Sequence, residues 1–266
     1  MRAESTGGSW RGDGRMRRTF LRALAGFVLL LAIAVAAFLV WALPLLGPGE
    51  RASAALESGD GITVTHTDDG WVFLPDSEWG VPRTGLVFYP GGRVDARSYA
   101  PFARALAAEG HAVVIVEVPL SLAVLDVGAA DDVIASPQLT AVTRWAVGGH
   151  SLGGAMAAQY LADTWHPEVE GLLLLAAYPP SGADLSDSDV SVTDVTATLD
   201  SVLDRENWVA GRALLPENAY RVLISGGNHA GFGDYGAQPG DTTATCTSEE
   251  QLLQAVRAAD ELLERM

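Results

Sequence analysis

The chain has 266 residues, 48% of them hydrophobic and 19% charged, with a single cysteine and a formal charge of −16. So much apolar surface offsets the entropy of ordering and excludes a disordered chain, and one cysteine excludes an internal disulfide framework or a Cys-rich zinc module. All 17 basic residues are arginines; six of them and only two acids precede residue 47, which leaves eleven arginines and 31 acids beyond it, net −20, and excludes nucleic acid as a partner.

Residues 1–19, rich in Gly, Arg and Ser, read as a cytoplasmic tail. From residue 23 to residue 46 no charge interrupts the chain. At about 1.5 Å per residue a helix over that run reaches roughly 36 Å, more than a hydrocarbon core of about 30 Å. Inside a bilayer only a helix satisfies its own backbone, so 20–46 is expected to be a transmembrane helix. Trp41 suits the far interface, and Pro44, Gly47, Pro48 and Gly49 end the helix. Arg15, Arg17, Arg18 and Arg22 hold the N-terminus in the cytoplasm by the positive-inside rule. The acidic body is then extracytoplasmic, tied to the cell membrane by a single pass. A cleaved signal peptide is the rival reading, but its apolar region usually runs only about 7–15 residues. Ala52-Ser53-Ala54 has the small-x-small form that a peptidase accepts, beyond the Pro-Gly stretch and the Glu50–Arg51 pair.

Residues 47–60 read as a linker and 61–266 as one domain. Segments 62–65 and 71–74 flank Asp68-Asp69-Gly70 as a hairpin. The apolar run 85–89 has the character of a strand buried on both faces. In 98–109, Tyr99, Phe102, Ala103, Leu106 and Ala107 recur at helical spacing, closed by Gly110. A strand at 112–116 and a helix-like stretch at 121–135 follow. Further strands are expected over 144–148, 171–177, 191–196 and 220–225, with helices over 152–162 and 248–265. Buried strands alternating with helices predict an α/β fold: a mostly parallel sheet with helices on both faces. Such sheets place their sites at the C-terminal ends of the strands.

Gly149-His150-Ser151-Leu152-Gly153 falls between the predicted strand 144–148 and the predicted helix 152–162. A strand turning sharply into a helix there would hold the Ser151 hydroxyl exposed, with glycines where the backbones approach too closely for a Cβ. Ser151 would also sit at a helix N-terminus, which favours developing negative charge.

A serine nucleophile needs a base, usually His, and a carboxylate to orient that His. Of the five histidines, His66 lies in the hairpin, His111 at the wrong edge of the sheet, His150 in the elbow itself and His166 in a surface-like loop. His229 follows the last strand at the C-terminal edge and is the candidate base. The acid should lie between Ser151 and His229, among Asp184, Asp187, Asp189, Asp194, Asp200, Asp204 and Glu206. Asp200, just beyond the 191–196 strand, is the choice, with Asp204 the runner-up. Two N–H donors for an oxyanion are expected from Leu152, after the nucleophile, and from Gly92 in the loop after 85–89. No cofactor and no metal are required for this chemistry.

These motifs resemble the α/β-hydrolase superfamily, and within it the small, cap-less members related to dienelactone hydrolases. The resemblance rests on Tyr89-Pro90-Gly91-Gly92-Arg93-Val94-Asp95 with Tyr99, on Gly149-His150-Ser151-Leu152-Gly153-Gly154, on Leu199-Asp200, and on Gly226-Gly227-Asn228-His229-Ala230-Gly231-Phe232-Gly233. It covers about residues 60–266 and implies an α/β-hydrolase fold with a Ser151–Asp200–His229 triad. Dienelactone hydrolases carry Cys as nucleophile where this chain has Ser151, so their lactone specificity is not carried over. Only 22 residues separate Ala177 from Asp200, too few for the helical cap of many relatives, which implies an open site.

The function expected is a membrane-anchored serine hydrolase that cleaves carboxylic esters or related acyl bonds, its partners being a small-molecule or lipid-like ester and the membrane. An acyltransferase using the same residues, or a non-catalytic binding protein on the same fold, are the alternatives. Product analysis with a competing acceptor, and a panel of esters, would separate them. Cys246, just before the last helix and away from any base, reads as an incidental small residue rather than a redox or lipid site.

Overall fold

The computed structural model describes residues 13–42, 45–76, 81–164 and 166–266. The chain divides into two compact units, Met1–Pro44 and Leu45–Met266. In the first, helix α1 (Asp13–Ala42) carries an apolar stretch, Met16–Val40, long enough to cross a membrane and with none of it buried; a signal sequence has the same character. The helix begins well before residue 20 because Arg and Met prolong a helix readily beyond its apolar run. The tail up to residue 12, the side chains of Arg15 and Trp41, and Pro44, each given a role above, lie outside the described residues.

The second unit starts with an extended rung. Leu46 donates its N–H to the Arg93 carbonyl (2.9 Å) and accepts the Asp95 N–H (3.0 Å). The stretch expected to be a linker holds a short helix, α2 (Glu50–Ala55), with Ala52 and Ala55 buried. Its N-terminus is tied to a remote loop: Gly49 donates to the Asp234 carbonyl (2.6 Å) and Ala52 to Asp234 Oδ2 (2.7 Å).

Strands β1 (Ile62–Thr67) and β2 (Gly70–Pro75) form the expected hairpin, antiparallel from Ile62↔Pro75 to Thr67↔Gly70. Then follow β3 (Thr84–Tyr89), α3 (Ala100–Ala108), β4 (Ala112–Val116), α4 (Ala129–Ile134), β5 (Arg144–His150), α5 (Leu152–Asp163), β6 (Val169–Leu175), β7 (Ser191–Ala197), α6 (Arg205–Gly211), β8 (Tyr220–Ile224) and α7 (Ser248–Arg265). The eight strands make one sheet in the order β1-β2-β4-β3-β5-β6-β7-β8, with β2 antiparallel to both neighbours and every later pairing parallel.

Strand periodicity divides the core between the two faces. Leu86, Phe88, Leu173 and Leu175 point to one face, beneath α3 and α7; Val87, Tyr89, Leu172 and Leu174 point to the other, beneath α4 and α5. Burial on both sides is why these strands read as unbroken apolar runs. Helix α7 opens on a capping box between Thr247 and Glu250, and its inward stripe includes Ala255, Ala258, Ala259 and Leu262.

The stretch 121–135 is not one helix. It breaks into 3₁₀ turns at Pro119–Ser121 and Ala123–Leu125 before α4 begins. The buried Tyr89 hydroxyl explains the break: it donates to the Val127 carbonyl (2.7 Å) and accepts the Ala130 N–H (2.9 Å), replacing the helical partners of both.

Candidate active site

Ser151 sits between β5 and α5 with φ 53° and ψ −120°, a conformation that costs an L residue about 1–3 kcal/mol. The surroundings hold it there. Its N–H donates to the Leu175 carbonyl (2.9 Å), and its carbonyl accepts the Ala155 N–H (3.1 Å) as the first bond of α5. A Cβ on Gly149 or Gly153 would run into the Tyr89 carbonyl oxygen, so the end of β3, the elbow and the start of α5 pack backbone against backbone. The first N–H groups of α5 lack helical acceptors and point their dipoles to the side where Ser151 stands.

His229 lies beyond β8 and is 1% exposed. Its Nδ1 is 2.8 Å from Asp200 Oδ2. Asp200 follows β7, and its other oxygen accepts the N–H groups of Val202 (2.9 Å) and Leu203 (2.8 Å). Burial alone would raise the Asp200 pKa, but the His229 ring and those two N–H groups outweigh it and hold the carboxyl below its usual range. An ionised Asp200 fixes the proton of a neutral His229 on Nδ1, which leaves Nε2 as the basic atom. Nε2 is buried and has no hydrogen-bond partner among the described residues.

Ser151 and His229 line one cavity of about 280 Å³. Ala155, Ala177, Pro180, Val202 and Leu203 give it mostly apolar walls, and Asp204 is the one acidic residue among its lining. Among the described residues the connection 176–190 contains no helix, so no helical cap crosses this opening. Gly92 lies beside Leu152: a Cβ on Gly92 would stand 3.1 Å from Leu152 Cδ2. The loop around Gly92 is fixed by Arg93 N–H to the Ser121 carbonyl (2.8 Å) and Val94 N–H to the Gly91 carbonyl (3.1 Å).

A family described as the alpha/beta hydrolase family matches residues 85–253. The chain belongs to that family. A dienelactone hydrolase from Anabaena variabilis is similar in structure, with TM-score 0.54 and 17% identity over 77% of this chain and 98% of that one. Carboxyl esterase 2 of the mycorrhizal fungus Tuber melanosporum gives TM-score 0.54 and 12% identity, covering 82% of this chain and 91% of its own. A bacterial heroin esterase gives TM-score 0.53 and 18% identity over 79% and 88%. At such identities the likeness is one of fold. No curated protein matches the sequence.

Other residues weighed from the sequence lie apart from this hydrolase's cavity or serve its scaffold. Asp204, on the rim, caps α6 by accepting from Asn207 N–H (3.0 Å) and Nδ2 (2.8 Å). Asp194 is buried within β7, both oxygens facing the Trp208 indole N–H. Asp184 accepts from Ser186, while Asp187 and Asp189 border a different cavity. His66 stacks on Trp71, His111 bridges Thr84 and Asp260, and His166 meets Asp131. Cys246 is half-buried, and desolvation holds its thiol above the usual range, so it is not a ready thiolate. Among the described residues no three His, Cys, Asp or Glu side chains are grouped to hold a metal.

Two residues that shape the His229 loop of this hydrolase escaped the sequence reading. Gln251, buried on α7, accepts the Asn228 N–H at Oε1 (3.0 Å) and donates Nε2–H to the Asn228 carbonyl (2.7 Å). Asp241 accepts from Ala230 N–H (2.9 Å) and Ser201 N–H (3.2 Å), tying the His229 loop to the Asp200 loop. The available signal for Gln251 was a polar side chain in register with Ala255, Ala258 and Leu262 on an otherwise apolar stripe.

Proposed function

We propose that the chain is a membrane-anchored serine hydrolase of neutral carboxylic esters or related acyl bonds, with Ser151, His229 and Asp200 as its triad. The observation that carries the reading is the buried Asp200–His229 pair: His229 lines the same cavity as the strained Ser151, and its Nε2 has no hydrogen-bond partner among the described residues. His229 Nε2 takes the Ser151 proton as Oγ attacks the ester carbonyl, and Asp200 stabilises the imidazolium that forms. The N–H groups of Leu152 and Gly92 hold the tetrahedral oxyanion. Collapse expels the alcohol, which takes its proton from His229. Water, deprotonated by the same nitrogen, then releases the acid and restores Ser151.

Apolar walls and small residues beside Ser151 suit an uncharged acyl group. The Asp204 carboxylate on the rim and the −20 charge beyond residue 46 oppose an anionic one. Helix α1 serves as the anchor, and its arginine-rich start keeps the N-terminus cytoplasmic and the catalytic unit outside. Labelling with a fluorophosphonate tests the nucleophile: wild-type protein is expected to label and Ser151→Ala to remain unlabelled. Folded wild-type protein that takes no label and cleaves no ester would sink the reading.

A further inference from the structure

His150 precedes Ser151 and is 1% exposed, its ring centroid 4.4 Å from that of His229. Its Nδ1 is 2.8 Å from the hydroxyl of Tyr99, which is fully buried at the end of the 3₁₀ turn Ala96–Tyr99. That hydroxyl also accepts the N–H of Gly91 (3.0 Å). Burial and the neighbouring His229 hold His150 well below the ordinary histidine range, so its ring is neutral.

A phenol has one proton to give. With one lone pair occupied by Gly91 N–H, giving the Tyr99 proton to His150 Nδ1 satisfies the phenol and puts the His150 proton on Nε2, a buried nitrogen with no hydrogen-bond partner among the described residues. The order of donation is Gly91 N–H to Tyr99 Oη–H to His150 Nδ1. Gly91 lies directly on this pair: a Cβ there would come 2.7 Å from Tyr99 Oη and 2.8 Å from His150 Nδ1. Rings on both sides hold the pair in place, Phe88 against Tyr99 (5.0 Å) and Phe232 against His150 (5.7 Å). The next residue after Gly91 is Gly92, whose N–H is the expected oxyanion donor.

We propose that Tyr99 and His150 are positioning residues that clamp Gly91 and so aim the Gly92 N–H at the oxyanion, an inference that rests on the ester-hydrolase reading. Neither side chain touches substrate. The clamp joins the end of β3 to the nucleophile elbow by side-chain hydrogen bonds, so the oxyanion site is fixed before substrate arrives, and such preorganisation matters most where charge develops.

Tyr99→Phe keeps the ring and removes the hydroxyl. With a p-nitrophenyl ester, kcat is expected to fall about 10- to 100-fold with KM within about twofold of wild type, and fluorophosphonate inactivation to slow by a similar factor. The melting temperature should remain within a few degrees. On the wild-type protein, ¹⁵N NMR should find His150 neutral at about pH 7, protonated at Nε2 and accepting at Nδ1; this reading does not depend on how the variant folds. Folded Tyr99→Phe with wild-type kcat, a loss confined to KM, or a His150 protonated at Nδ1 would each overturn the clamp alone. Wild-type protein inert to both ester and fluorophosphonate would overturn the hydrolase reading and this inference with it.

Discussion

Between Gly148 and Gly154 the chain holds Ser151 with backbone: strand, turn and helix press so closely that only hydrogen fits at Gly149 and Gly153. Between Gly226 and Asp241 it holds His229 with side chains, Asp241 from the segment itself and Asp200 and Gln251 from elsewhere in the sequence. The first arrangement is steric, backbone against backbone where β3, β5 and α5 meet. The second is a hydrogen-bonded net whose parts become neighbours only after the sheet is complete. The two should fail differently: a change in the elbow should cost the fold, and a change in the net should cost turnover.

Asp200→Asn should have the largest effect on the net, because an amide no longer fixes the His229 tautomer. Ester hydrolysis is expected to fall on the order of 10⁴-fold in kcat with cooperative melting retained; near-wild-type turnover would remove Asp200 from the triad. Gly153→Ala should do the opposite. Its methyl collides with the Tyr89 carbonyl oxygen, and thermal unfolding should show a loss of about 3–5 kcal/mol or no soluble protein. A stable Gly153→Ala enzyme would contradict the steric account of the elbow. Gln251→Ala strips both partners from the Asn228 backbone and should cost about 2–4 kcal/mol. Its kcat should fall more steeply than the variant's stability alone explains, measured well below its melting temperature.

The smallest effect belongs to a control outside both regions. Burial raises the Asp194 pKa to about 6, against the opposing pull of the Trp208 N–H, Arg221 and Arg212. A carboxyl whose folded value lies above its unfolded one costs nothing below the unfolded value, and its cost grows as pH rises through the folded value. Asp194→Asn should therefore raise the melting temperature at pH 8, by the equivalent of about 2 kcal/mol, and leave it unchanged near pH 3.5. Equal effects at both pH values would mean that ionisation of Asp194 is not the cause.

What could be read from the sequence follows the same division. The hairpin, the buried strands and the last helix are local patterns, and 248–265 was legible because apolar spacing starts at the point where Thr247 and Glu250 cap it. The elbow was legible because Gly149 and Gly153 flank Ser151 within five residues, between a predicted strand and a predicted helix. His229 was reached by asking which histidine lies at the C-terminal edge, and the 2.8 Å contact with Asp200 spans 29 residues of chain. The break before α4 was hidden because it depends on the hydroxyl of Tyr89, 38 residues before Val127. The parts played by Gln251 and Asp241 were hidden for the same reason: each acts through backbone groups of remote loops, and neither periodicity nor composition records that.

The rung formed by Leu46 bears on where the chain can be cut. A peptidase cutting after Ala54 would discard Leu46 together with its bonds to Arg93 and Asp95, and would also strip Gly49 and Ala52 from Asp234. Two loops would come loose at a single cut, one next to Gly92 and one next to His229. A competent version of the second unit freed of α1 should therefore be trimmed upstream of Leu45.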